Sequence, residues 1–207
     1  MPFKKEQIPM DSHLSTPSRK SLDRRAKRTR QAIKESFVAL TRTRRIEDVT
    51  VKEVMERADV NRATFYAHFS NIDDLERAIE ADAAQRLIET VGRMRTSPSC
   101  TDDELTLVFG CLLGDREVCR WLVGPQSLGC GKDILAEHSR QRCVPLWTAR
   151  GKLSHTQAEC LFDFTFDGAF GVLARWYAQD ADAAQTMSIL SGIVSSTLGY
   201  AYAEANA

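Results

Sequence analysis

The fold is decided by residues 50–69, Thr-Val-Lys-Glu-Val-Met-Glu-Arg-Ala-Asp-Val-Asn-Arg-Ala-Thr-Phe-Tyr-Ala-His-Phe. Thr50 and Glu53 have the spacing of a capping box, in which each side chain satisfies an amide at the start of a helix. Asp59 stands where the chain must turn, and aspartate tolerates the left-handed conformation that a tight turn requires. Asn61 is a favourable N-cap for a second short helix. The stretch therefore predicts a helix-turn-helix whose second helix reads DNA.

Polar side chains on the outer face of this second helix suit phosphates and base edges. Arg62 supplies a guanidinium fork, Thr64 a hydroxyl and Tyr66 a phenol, with the His68 imidazole nearby. Basic residues upstream suit phosphate contacts. The full set of candidate DNA-binding residues is Arg24, Arg25, Arg28, Thr50, Lys52, Asn61, Arg62, Thr64, Tyr66 and His68.

The pattern Thr-x-x-x-Val…Ala-x-Val-x-x-x-Thr-Phe-Tyr-x-x-Phe resembles the DNA-binding domain of TetR-family regulators. It continues, as in that family, with Asn71, Asp73, Asp74 and Leu75. The sequence departs from the family at Asp59, where glycine is usual, and at Ile72, where a phosphate-binding lysine is usual. The resemblance implies a transcriptional regulator, more often a repressor, that binds a pseudo-palindromic operator as a homodimer and responds to a small-molecule effector.

Charge is distributed unevenly along the 207 residues, although the formal net charge is zero. Residues 1–80 hold 17 Lys/Arg against 13 Asp/Glu, and residues 81–207 hold 11 against 15. A basic N-terminal part followed by an acidic C-terminal part is typical of a DNA-binding domain joined to a domain that does not bind DNA. We predict a disordered basic arm (1–21), a helix-turn-helix domain (22–80) and a helical regulatory and dimerisation domain (81–207).

Apolar residues at helical spacing, punctuated by capping signals, predict an all-α fold with a three-helix N-terminal domain and a larger helical C-terminal domain. Capping pairs are predicted at Asn71/Asp74, Thr101/Glu104 and Ser154/Gln157. A helix over 132–149 is expected to kink or end early at Pro145. No apolar run approaches the roughly 18 residues that span a bilayer, and no hydrophobic segment follows the basic N-terminus. We therefore expect a cytoplasmic protein.

The last two predicted helices carry small residues at positions that would permit close helix packing. The predicted helix over 154–178 is also apolar nearly all round, so the core of a single protomer cannot bury every face of it. We predict a two-fold dimer interface, with tight packing inside one protomer as the alternative. The segment Phe166–Tyr177 also resembles the C-terminal domain of one TetR subgroup. The candidate interface residues are Phe164, Gly168, Gly171, Gly192, Ser195, Ser196 and Gly199.

The family resemblance also implies an inducer pocket among the middle helices. Candidate lining residues are Phe109, Leu112, Trp121, Gln126, His138 and Trp147. Arg142, His155 and Cys119 are further polar candidates. The alternative to a ligand-binding role, for each of these residues, is that an aromatic residue packs in the core or that a polar residue lies on the surface. The sequence does not identify a ligand.

Catalytic chemistry is not indicated by any motif. The chain has no phosphate-binding glycine loop and no defensible Ser/His/Asp order or metal-ligand spacing, so we expect no enzyme, metal site or cofactor. The six cysteines lack CxxC spacing and are expected as small buried hydrophobes. The alternative is a thiol sensor at Cys119, between Arg116 and Arg120. The rival function is a TetR-like protein that acts through a protein partner, with weak or lost ligand response.

Overall fold

The computed structural model describes residues 19–94, 104–150 and 153–203, and its regular elements there are helices, which confirms the all-α prediction for this part of the chain. A short 3₁₀ turn, Ile46–Asp48, also precedes α2. None of these helices is long and apolar enough to cross a membrane. The helices are α1 (Arg19–Thr41), α2 (Val51–Ala58), α3 (Arg62–Tyr66), α4 (Ile72–Met94), α5 (Glu104–Gly114), α6 (Arg116–Val123), α7 (Cys130–Arg150), α8 (His155–Gln179) and α9 (Ala183–Ala203).

The chain divides into two compact units, residues 1–68 and 69–207. The first unit holds 16 Lys/Arg against 9 Asp/Glu, and the second holds 12 against 19. The basic excess is therefore confined to the first unit. The domain boundary predicted at residue 80 falls inside α4. Most of the predicted arm, residues 1–18, lies outside the described residues, and α1 already begins at Arg19.

Short-range caps fix the helix starts in the second unit. The Asn71 Oδ1 accepts from the Asp74 N–H at 2.8 Å, and an Asp74 carboxylate oxygen accepts from the Ser70 N–H at 2.8 Å. Ser154 and Gln157 form a reciprocal capping box before α8. Both predicted pairs are confirmed because capping needs only side chains within one helical turn. The Thr101 cap and Cys100 lie outside the described residues.

Helix α7 runs through Pro145 to Arg150, so the prediction that this proline could end the helix early is wrong. A proline removes the hydrogen bond to the carbonyl four residues earlier, here that of Gln141. Both Pro145 and Gln141 are exposed. Water can therefore reach that carbonyl, which makes an interior proline tolerable.

Stacked aromatic rings fill the centre of the second unit. Phe166 of α8 lies between Phe162 and Phe170, with ring centroids 5.4 and 4.7 Å away. Phe109 of α5 contacts Phe166 at 6.3 Å, and Trp147 of α7 contacts Phe162 at 6.3 Å. Such pairs add about 0.5–1.5 kcal/mol each beyond the burial of their apolar area. They join α5, α7 and α8 into one core.

A buried carboxylate joins α4 to the start of α7. Glu80 is fully buried. Its Oε1 accepts from the Leu128 N–H at 2.5 Å, and its Oε2 accepts from the Gly131 N–H at 3.1 Å. The Cys130 thiol also donates to Oε2 at 3.1 Å. A carboxylate at a helix N-terminus is favoured by the helix dipole. A Cβ on Gly131 would lie 2.3 Å from a Leu122 methyl, so this close approach needs glycine.

Candidate functional site

The helix-turn-helix of the first unit is held by the local contacts that the sequence predicts. The Thr50 hydroxyl accepts from the Glu53 N–H at 3.3 Å, and the Glu53 carboxylate accepts from the Thr50 N–H at 2.9 Å. Asp59 adopts the left-handed conformation, with φ 51° and ψ 50°. Asn61 caps α3 by accepting from the Thr64 N–H at 2.8 Å. The capping box, the turn and the second cap are all confirmed.

Beside its buried Phe65, α3 presents an exposed cationic and aromatic pair, and the Phe65 and Tyr66 ring centres are 5.4 Å apart. Arg62 is exposed, and its guanidinium lies 5.4 Å from the centre of the Tyr66 ring. Tyr66 is itself 46% exposed, although aromatic side chains of this size are usually covered. Thr64 of the same helix is half-buried. A guanidinium held over an exposed phenol places a bidentate donor and a hydroxyl on the same surface.

Two of the predicted DNA-binding residues, His68 and Thr50, do not lie on the outer face of α3. His68 lies beyond the end of α3 and is half-buried, and its carbonyl accepts from the Arg30 guanidinium at 2.8 Å. The Thr50 hydroxyl lies 2.8 Å from a Glu53 carboxylate oxygen, which also accepts from the Thr50 N–H. Both donors of Thr50 are thus directed at Glu53. In this arrangement Thr50 positions α2.

Exposed cations precede α3 in sequence and belong to the same unit. Arg24, Arg25 and Arg28 are exposed on α1. Lys52 is exposed on α2, with its Nζ 3.8 Å from Glu56, the weak type of pair that surface charges make. These exposed side chains are accessible to a polyanion.

Sequence reasoning missed two arginines that position the motif. Arg30 is the donor to the His68 carbonyl. Arg44 pairs with Glu53 at 2.7 Å, and the hydrogen bonds from Arg44 and Thr50 lower the pKa of that carboxyl from 4.5 to about 2. The only signal was the density of basic residues before α2, which does not say which arginine binds where.

The predicted pocket residues are divided between core and partly exposed positions. Phe109, Leu112, Trp121 and Trp147 are buried, and Phe109 and Trp147 belong to the aromatic core. Gln126 and His138 are half-buried. The His138 imidazole lies 3.7 Å from the buried Glu104 carboxylate, which also receives the guanidinium of Arg142. His155 is exposed at the start of α8.

Two cavities lie beside α5 and are lined by other residues. The larger, about 480 Å³, is lined by Thr90, Met94, Thr106, Leu107, Gly110, Cys111, Gly114, Asp115 and Met187. The smaller, about 300 Å³, is lined by Arg86, Leu87, Glu89, Thr90, Arg93, Cys111, Asp115, Glu117 and Val118. We call the larger the apolar cavity and the smaller the charged cavity.

The thiol of Cys119 does not have the environment of a reactive cysteine. Cys119 is fully buried, and burial raises the pKa of its thiol to about 12, despite the nearby Arg116. A sensor needs an accessible thiolate. The alternative of a thiol sensor at this position is therefore wrong, because the neighbouring arginines in sequence do not offset desolvation.

The candidate interface residues all lie on the exposed surface of α8 and α9. Phe164 is 78% exposed, and Tyr200 of α9, 57% exposed, lines a cavity with it. A Cβ added to any of the four glycines would meet nothing within 4 Å. The alternative of tight packing inside one protomer is therefore wrong for these glycines. They are Gly168, Gly171, Gly192 and Gly199.

Comparisons with known proteins agree with this architecture. Residues 39–79 match the family model for bacterial regulatory proteins of the tetR family. An uncharacterised HTH-type transcriptional regulator of Bacillus subtilis (strain 168), YxbF, is 28% identical over 71 residues, which are 34% of this chain and 19% of that protein. The match thus spans about a fifth of that relative's length.

Solved structures extend the similarity of fold to most of the chain. The TetR transcriptional regulator from Streptococcus agalactiae 2603V has a TM-score of 0.61 at 16% identity, covering 86% of this chain and 99% of that one. Thermus thermophilus FadR, a TetR-family transcriptional repressor solved with lauroyl-CoA, has a TM-score of 0.57 at 18% identity, covering 80% and 92%. At such identities the likeness shows the fold alone. Residues 39–79 thus match the tetR family of bacterial regulatory proteins, and most of the chain shares the fold of these solved TetR regulators.

Proposed function

We propose that this protein is a transcriptional repressor that binds a pseudo-palindromic operator as a homodimer and releases it in response to a small-molecule effector. The observation that carries the proposal is the exposed Arg62–Tyr66 pair on α3, a helix whose start is fixed by the cap from Asn61. Such a face has no evident role in the core of the first unit. Its donors suit base edges and phosphates.

The proposed roles follow from the charge and exposure of each side chain. Arg62, Thr64 and Tyr66 contact the major groove and its edges. Lys52 and the exposed arginines of α1 contact phosphates, which supply most of the affinity and make it dependent on salt. Because Ile72 replaces the usual lysine at the start of α4, the α1 arginines carry a larger share of these contacts. We propose no catalytic activity.

Dimerisation through α8 and α9 is the second part of the proposal. Phe164, Ile189 and Tyr200 are large apolar side chains left exposed on these two helices. Apolar patches on a protein surface mark interaction sites, and the exposed glycines on the same two helices would allow a second pair of helices to approach closely. Two reading heads in a two-fold dimer would address half-sites about 34–36 Å apart.

The effector response is proposed for the second unit. Thermus thermophilus FadR, a neighbour in fold, was solved with lauroyl-CoA. The cavities beside α5 provide room for a ligand in this chain. The alternative function, action through a protein partner, is favoured by one observation, the loss of the phosphate-binding lysine at Ile72.

Binding of a labelled operator fragment, measured by fluorescence anisotropy, tests the proposal. Arg62→Ala is expected to weaken specific binding at least tenfold, which corresponds to about 1.4 kcal/mol. The matched control is Arg150→Ala, which removes an exposed arginine from the second unit and should leave binding unchanged. Equal affinity for both variants would contradict the assignment of α3 as the reading helix.

A further inference from the structure

We propose that the effector site of this protein is the apolar cavity beside α5, and that it takes a compact, mainly apolar molecule with one hydrogen-bonding end. The inference rests on the proposed function, because it names the site and ligand class of the effector response. It moves the site away from the core residues that the sequence suggested.

The aromatic core leaves the centre of the second unit occupied. Phe162, Phe166 and Phe170 stack on one another along α8, and Phe109 and Trp147 close the stack from α5 and α7. All five side chains are at most 5% exposed. A ligand placed among them would have to displace rings that already contact each other. Among the described residues, the two cavities beside α5 lie at the side of this core and offer room for a ligand.

The apolar cavity has the size and surface of a small-molecule site. Its volume of about 480 Å³ falls within the roughly 300–1,000 Å³ that such sites occupy. Met94, Leu107 and Met187 supply most of its apolar wall. Methionine side chains adapt their shape to a ligand because they are unbranched and flexible. Hydroxyls from Thr90 and Thr106 supply a few polar groups at its edge.

Two glycines of α5 keep this space open. A glycine within a helix costs roughly 0.5–1 kcal/mol relative to alanine, so crowding would be the ordinary reason for one. A Cβ at Gly110 would meet only the end of Met187, at an ordinary contact distance of 3.8 Å, and one at Gly114 would meet nothing within 4 Å. Neither glycine is required by packing, and the volume that both leave empty belongs to the cavity.

The charged cavity adjoins the apolar cavity, and its polar lining is the reason why we propose a ligand with one hydrogen-bonding end. The two share Thr90, Cys111 and Asp115. The charged cavity contains two cations and three carboxylates, so its lining offers both donors and acceptors without a large net charge. A neutral group that can donate and accept suits it better than a strong anion. The charged residues are Arg86, Arg93, Glu89, Asp115 and Glu117.

Ligand binding here would act on α4. Arg86, Thr90 and Met94 of α4 line one or both cavities, and α4 begins at Ile72, soon after the first unit ends at His68. A ligand that holds α4 and α5 at a fixed separation therefore contacts the helix that directly follows the DNA-binding unit in the chain.

Fluorescence titration with N-phenyl-1-naphthylamine, a neutral apolar probe with one N–H group, tests the site. The wild-type protein should bind the probe saturably. Gly110→Leu should weaken binding at least tenfold, because the new side chain enters the cavity from a position where only the flexible end of Met187 is near. Leucine is also the better helix former, so the melting temperature should not fall.

The control is Gly92→Leu, which makes the same change in α4, where a Cβ would meet nothing within 4 Å. It should bind the probe like wild type. A second readout is the rate of Cys111 alkylation by N-ethylmaleimide, followed by mass spectrometry, since Cys111 lines both cavities. The probe should slow this reaction in wild type at least threefold.

Absence of saturable probe binding, or equal affinity of wild type and Gly110→Leu, would overturn the inference. So would unchanged alkylation of Cys111 with the probe bound. Operator binding is measured separately on the same preparations. Wild-type protein that binds DNA but not the probe would refute the site alone, whereas protein that binds the probe but no DNA would refute the proposed function alone.

Discussion

Replacement of Glu80 by alanine is expected to destabilise the second unit more than any surface substitution. Glu80 is fully buried on α4 and accepts from two backbone N–H groups, those of Leu128 and Gly131, and from the Cys130 thiol. Alanine would leave the buried Gly131 N–H, and the part-buried Leu128 N–H and Cys130 thiol, without their acceptor. The loop before α7 would also lose its attachment to α4.

The magnitude follows from the donors left unpaired. Each buried hydrogen-bonding group left without its partner costs about 1–3 kcal/mol, and Glu80→Ala removes the acceptor of two backbone N–H groups and one thiol. Water can enter part of the space vacated by the side chain and hydrogen-bond some of these donors. We therefore expect the free energy of unfolding to fall by about 3–5 kcal/mol, which is less than the sum over all three donors. At about 2–4 °C per kcal/mol for a protein of this size, the melting temperature should fall by about 6–20 °C.

Thermal unfolding followed by circular dichroism measures this change. The matched control is Glu137→Ala on α7, an exposed glutamate that contacts Gln141 one turn away at 2.7 Å. Surface substitutions of this kind fall within about 0.5 kcal/mol, so the control should shift the melting temperature by less than about 2 °C. A similarly small shift for Glu80→Ala would refute the reasoning, since it would mean that the donors find other acceptors.

Three further predictions concern the reading helix, the interface and the capping box. Tyr66→Ala should weaken operator binding about tenfold with an unchanged circular dichroism spectrum, and unchanged affinity in a gel-shift titration would count against the placement of this side chain. Gly171→Leu should give a monomer by light scattering, whereas Gly92→Leu should remain dimeric; a dimer for both variants would exclude the proposed interface. Because the folded-state pKa of Glu53 is lowered from 4.5 to about 2, its contribution to stability is present above pH 4.5 and is lost as the pH falls towards 2. The difference in melting temperature between wild type and Glu53→Gln should therefore shrink over that interval, and a constant difference down to pH 2 would disprove the assignment.

The helix-turn-helix could be predicted because its determinants act over three or four residues. Thr50 with Glu53 and Asn61 with Thr64 are caps that the spacing alone reveals, and Asp59 is a residue type that tolerates the turn. The exposure of the glycines that we propose for the interface also agrees with the pattern, since a helix that is apolar all round has more surface than one core can cover.

Contacts distant in sequence could not be predicted. The Glu80 carboxylate meets a loop 48 residues away at Leu128, and no local pattern identifies that pairing. Phe109 and Trp147 were expected beside a ligand but belong to the core, because an aromatic residue at helical spacing looks the same in both settings. The apolar cavity is lined by α4, α5 and α9, with Asp115 between α5 and α6, so its walls are determined only by how these helices pack.

The central claim, that the first unit binds operator DNA, is tested most directly by the salt dependence of that binding. Purified wild-type protein would be titrated against its own upstream intergenic DNA at two salt concentrations, with an unrelated duplex of equal length as the control. We predict tight, sequence-selective binding, with the logarithm of the binding constant falling against the logarithm of the salt concentration at a slope of about −0.9 per phosphate contacted. Absence of binding at low salt, or equal binding to both duplexes, would contradict it.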